Sequence, residues 1–143
     1  MNNMDPRREA RITALQCLFA QDLLEQSQDP LEWLATENDI DEHCKEFART
    51  LIDGVRSQIH YFDEKIYDYA PIWPTNQLPA VDRNILRIAL FEILVQKKAP
   101  IKSVVNEAVE LSKAFGSETS ARFTNGVLGS VVSDLGQEIT TTV

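Results

Sequence analysis

VDRNILRIALFEILVQ, residues 81–96, is the stretch on which the reading of the chain turns. Val81, Ile85, Leu86, Ile88, Ala89, Leu90, Phe91, Ile93 and Leu94 leave few polar residues among them. A helix built from this run is apolar nearly all round, and such a helix is covered on every side by neighbours. It therefore belongs at the centre of a domain, between the proline-rich connection APIWPTNQLP (residues 70–79) and the stop KKAP (residues 97–100).

Working outward toward the C-terminus, Pro100 starts a helix whose buried face is Ile101, Val104, Val105, Ala108, Leu111 and Phe115. Gly116 is placed as a C′ residue, and Ser117 can cap the last helix. That helix carries RFTNGVLGSVV, residues 122–132, in which Phe123, Val127, Leu128, Val131 and Val132 keep the spacing of one face. Gly126 costs about 1 kcal/mol relative to alanine inside a helix. The expectation is that another backbone or side chain comes close to it. The tail, residues 137–143, is expected to be disordered.

Working toward the N-terminus, Cys44, Phe47, Ala48, Leu51, Ile52, Val55, Ile59, Phe62, Ile66 and Tyr69 hold helical spacing for longer than a typical helix. A break near His60 follows. DPLEWLATE predicts a short helix with Asp29 as cap, Pro30 first and Glu32 closing a capping box. In DPRREARITALQCLFAQDL, Asp5 caps, Pro6 opens, and Ile12, Leu15, Phe19 and Leu23 form an apolar stripe. Arg8 and Arg11 fall on that same side, so they either present cations beyond the core or pair with carboxylates. No segment alternates with period two between turn signals, and the fold class is all-α.

The 143 residues suit one domain, residues 1–143, around one core. The net charge is −8, and residues 22–46, with nine acids and one base, carry all of it. A basic face remains open elsewhere, with Arg7, Arg8 and Arg11 at one end and Lys97, Lys98 and Lys102 around a proline. No apolar run reaches the length of a membrane span, and Cys17 and Cys44 sit in helical periodicity as reduced core residues, so a cytoplasmic setting is expected. His43 and His60 form no close metal pair, and no phosphate loop or nucleophile elbow is present. Neither a cofactor nor an enzyme is expected.

Three stretches together resemble the NusB family of transcription antitermination factors: RREARITALQCLFAQDL, VDRNILRIALFEIL and PIKSVVNEAVELSKAFGSETSARFTNGVLGSV. The last is the most specific, being a long pattern rather than a short motif. The resemblance implies an all-helical fold of two packed helical subdomains. It also implies pairing with the small-subunit ribosomal protein that doubles as NusE, binding of boxA RNA by that pair, and work with other Nus factors on RNA polymerase at ribosomal-RNA operons. By the same resemblance Arg7, Arg8, Arg11, Lys102 and Arg122 are candidate phosphate contacts, and Phe19, Tyr69 and Phe123 candidate rings for unpaired bases. Asp82 is the candidate partner contact.

Glu9 interrupts what is often a longer arginine run, Thr119 stands where relatives often carry an acid, and Ala121 where they often carry a polar residue. Modest and strongly salt-dependent RNA affinity follows for the isolated protein. Some members of the family are homodimers. Two other readings are a helical protein-binding adaptor that docks a basic partner on residues 22–46, and an RNA-binding module related to the N-terminal regions of ribosomal-RNA methyltransferases.

Overall fold

The computed structural model describes residues 5–24, 29–70 and 77–141. Among them are seven α-helices and no strand: α1 (Pro6–Leu24), α2 (Leu31–Glu37), α3 (Glu42–Ser57), α4 (Ile59–Tyr69), α5 (Ala80–Leu90), α6 (Ile101–Phe115) and α7 (Ser120–Thr141). A π-helical turn, Phe91–Gln96, prolongs α5. Helices α1, α2 and α3 pack together, α4, α6 and α7 gather on α5, and α5 also packs against α1 and α3. The all-round apolar helix is thus the shared wall of two helical groups. Ile85, Leu86, Ile88, Ala89 and Leu90 are all at most 2% exposed. One buried cluster continues through them from Ala10 on α1 to Val131 on α7.

The helix starts follow the local chemistry, with shifts of a residue or two. Asp5 accepts the Arg7 N–H at 2.8 Å and Asp29 the Leu31 N–H at 2.9 Å, each satisfying a donor that the first turn leaves open. Glu32 does not close a capping box; its carboxylate takes the Lys45 ammonium across to α3. The break expected near His60 falls at Gln58, where φ −136° and ψ 36° leave the helical region.

Glycine is demanded at a different place from the one expected. At Gly126 an added Cβ meets nothing within 4 Å, and Asn125 and Gly126 are both exposed. Among the described residues no neighbouring helix packs there. At Gly54 the same Cβ would lie 2.2 Å from the Phe91 ring, so α3 and the π-turn touch through a position that only glycine fits. Gly116 has φ −94°, not the left-handed value of a C′ glycine; a Cβ there would lie 2.4 Å from Ser120 Oγ. Ser117 does not cap α7 with its side chain in the expected way: its own N–H donates to Ser120 Oγ at 2.9 Å. Helix α7 runs on to Thr141, with no proline in it to stop the backbone ladder.

Candidate nucleic-acid interface

The first turns of α1 carry three arginines, and the fold gives them three different environments. Arg7 is exposed and makes no ion pair among the described residues. Arg8 reaches Glu107 on α6 with Nε and Nη2, both at 2.9 Å, in a half-exposed bidentate pair. Arg8's hydrogen bonds, more than any other cause, hold the Glu107 carboxyl below the usual carboxylate range. Arg11 is only 5% exposed and donates Nε and Nη2 to the Glu92 carboxylate at 2.9 and 2.8 Å. Its guanidinium also lies over the Phe47 ring, 5.5 Å from the centroid.

Glu92 lies in the π-turn and is buried there with its neighbours Phe91 and Ile93, its carboxylate turned to Arg11. The turn ends at Lys97, whose N–H returns to the Glu92 carbonyl at 2.9 Å with φ 55°. That left-handed backbone costs a lysine about 1–2 kcal/mol. A cleft of about 350 Å³ opens between this turn, the N-terminal end of α1 and α3.

A second polar cluster lies where α1, α4 and α5 meet. Asp22 accepts Arg83 Nη2 at 2.6 Å, Asn84 Nδ2 at 3.1 Å and Arg87 Nη1 at 3.2 Å. Arg87, 5% exposed, also grips both Asp63 oxygens at 2.7 and 2.8 Å. Burial raises the Asp22 carboxyl, but the hydrogen bonds and charges of Arg83 and Arg87 outweigh it and leave the group below its ordinary value. Beside this saturated cluster Asp82 is 7% exposed, and its Oδ1 has no hydrogen-bond partner among the described residues. A buried carboxylate oxygen without a donor is costly, and a partner's N–H or O–H relieves that cost.

Comparison with known proteins fits this arrangement. The model of the NusB family matches residues 8–133, from the second arginine of α1 into α7. The chain belongs to the NusB family. A transcription antitermination protein NusB of Chloroflexus aggregans is 48% identical over 130 residues, 89% of this chain and 87% of the relative. One from Dehalococcoides mccartyi is 47% identical over 126 residues, 87% of this chain and 88% of the relative. T. maritima NusB superimposes with a TM-score of 0.79 at 34% identity, covering 90% of this chain and 92% of the other. A crystal structure of the antitermination factors NusB and NusE in complex with dsRNA also gives 0.79, at 28% identity over 92% of this chain and 98% of that one.

The residues that the NusB resemblance implied fall into two groups joined by α5. On α1, Arg7 and Arg8 remain at the surface, while Arg11 is turned inward and its guanidinium is saturated by Glu92; Phe19 is half-buried. The expectation that all three arginines meet phosphate therefore does not suit Arg11 in this fold. On the other side, Tyr69 donates its hydroxyl to Asp134 of α7 at 2.6 Å, and both Tyr69 and Phe123 pack half-buried against the core. Lys102 and Arg122 are exposed. Sequence reasoning missed Glu92, Glu107, Asp22, Asp63 and Arg87. The one available signal was their position as charged residues inside otherwise apolar helical stripes.

Among the described residues no His, Cys, Asp and Glu group could hold a metal ion, and no helix is long and apolar enough to cross a membrane.

Proposed function

We infer that this protein is a transcription antitermination factor that binds boxA RNA together with the NusE ribosomal protein and supports RNA polymerase, with other Nus factors, through ribosomal-RNA operons. The observation that carries this is the agreement of nearly the whole helical array with the NusB of a NusB–NusE–dsRNA complex. The surface supports it residue by residue. Arg7 offers an uncompensated guanidinium, and Arg8, with Nη1 free of Glu107, offers its outer edge to a second phosphate. Arg11 positions α1 rather than touching RNA. Lys102 and Arg122 extend the phosphate track, and Phe19, Tyr69 and Phe123 supply ring surface for unpaired bases. Asp82 Oδ1 is the acceptor that a partner's donor completes.

The test is binding of a boxA-type single strand, with and without NusE, by the native protein and by a variant with Arg7 and Arg8 changed to Ala. NusE is expected to tighten binding and to give preference over a scrambled strand. The double change is expected to weaken both strands alike and to lower the salt slope by about one for each phosphate no longer neutralised. A native pair with no boxA preference overturns the reading.

A further inference from the structure

The cleft between α1, α3 and the π-turn is a recess, and phosphate contacts alone require only projecting cations. Its volume of about 350 Å³ lies in the range that holds small planar ligands. The lining is sorted by chemistry. Arg7 and Lys98 are exposed and make no ion pair among the described residues. Deeper in, Phe47 is half-buried, and the buried Arg11 guanidinium lies over its ring, which leaves the exposed part of that ring as the surface on which an unpaired base can stack. Because Glu92 already neutralises Arg11, that inner surface suits an uncharged base better than a phosphate. Glu46 and Gln96 add hydrogen-bonding groups to the wall.

We propose that this cleft takes one unpaired nucleotide of the bound RNA, its base on the Phe47 ring and its flanking phosphates on Arg7 and Lys98. The proposal rests on the RNA-binding reading above and names a base site within it. The Glu46 carboxylate accepts from exocyclic amino groups and repels carbonyl oxygens, so guanine, adenine or cytosine is favoured there over uracil.

The experiment uses the complex with NusE and a boxA-type strand with its flanking nucleotides, carrying 2-aminopurine at each position in turn. One position is expected to be quenched on binding. Phe47→Leu is expected to restore its fluorescence and to weaken RNA binding about 10-fold, within the range for losing one base–aromatic stack. Lys98→Ala, at an exposed position that does not threaten folding, is expected to weaken binding a few-fold and to lower the salt slope by about one. Glu46→Gln is expected to relax discrimination against uracil at the quenched position.

If boxA preference holds but no position responds to either Phe47→Leu or Lys98→Ala, the base site is wrong and the antitermination reading stands. If Phe47→Leu weakens NusE binding and leaves RNA binding by the isolated chain unchanged, the cleft belongs to the protein partner and the proposal fails. If a free nucleoside monophosphate fills the cleft without competing with RNA, it is a mononucleotide site and the proposal fails. A native complex without boxA preference removes the functional reading and this one together.

Discussion

Two bidentate arginine–carboxylate pairs, one half-exposed and one buried, anchor the start of α1, and the difference in burial sets what each residue does. Arg8–Glu107 has side-chain exposures of 39% and 21%, so water screens it and a phosphate can compete for it. Glu107→Gln is expected to leave Arg8 freer for phosphate and to tighten RNA binding a few-fold at low salt, with the gain fading at higher salt; filter binding over a salt series checks this. Arg11–Glu92, at 6% and 2%, has no such latitude. Removing the carboxylate leaves a buried guanidinium unpaired, which costs about 3–5 kcal/mol. Glu92→Ala is expected to lower the urea midpoint steeply, whereas Arg7→Ala is expected to leave it unchanged while weakening RNA binding.

At the scale of elements, α3, α5 with its π-turn, and α7 each hold one glycine or aromatic contact that separates packing from exposure. Phe91 stands edge-on to Phe62, with centroids 6.4 Å apart, and fills the space over Gly54. Gly54→Ala is expected to destabilise by about 1–3 kcal/mol, because the buried ring must shift to admit the methyl group. Gly126→Ala faces open space and is expected to stabilise by about 0.5–1 kcal/mol through helix propensity and a less flexible unfolded chain. Paired thermal melts decide both signs. If Gly126→Ala also weakens RNA or NusE binding while raising the melting temperature, the bare face of α7 is where a partner comes close. That would place the reason for the glycine outside this chain.

Across the whole molecule, the helical groups are tied by carboxylates whose ionised form the fold favours. Asp22, Asp29 and Glu107 all lie below their ordinary values, burial working against all three and arginine or backbone hydrogen bonds prevailing. A carboxyl depressed in the folded state contributes stability that is fully present above its unfolded value of about 4 and is lost as pH falls through the lower folded value. Asp22→Asn is therefore expected to be less stable than the native protein at pH 7, with the gap narrowing as pH drops below about 4. Urea midpoints measured across that range check the sign. The same cluster carries no such dependence between about pH 6 and 8, where these groups remain ionised.

Helices, their starts and the central place of α5 were legible in the sequence because periodicity, proline and capping residues act within a few positions of each other. The arginine-rich start of α1 was legible as charge. Its sorting was not: Arg8 meets a residue 99 positions away and Arg11 one 81 positions away, so only the packing of α1 against α5 and α6 decides which cation is free. The π-turn was equally out of reach, since the run FEILVQ reads as a continuation of the apolar helix before it, and Glu92 meets Arg11 only through the packing of α1 against that helix. Glycine shows the same division. Its cost in a helix is local and could be read at Gly126, but whether a neighbour occupies the missing Cβ position depends on which helix lies opposite, and that neighbour stands over Gly54.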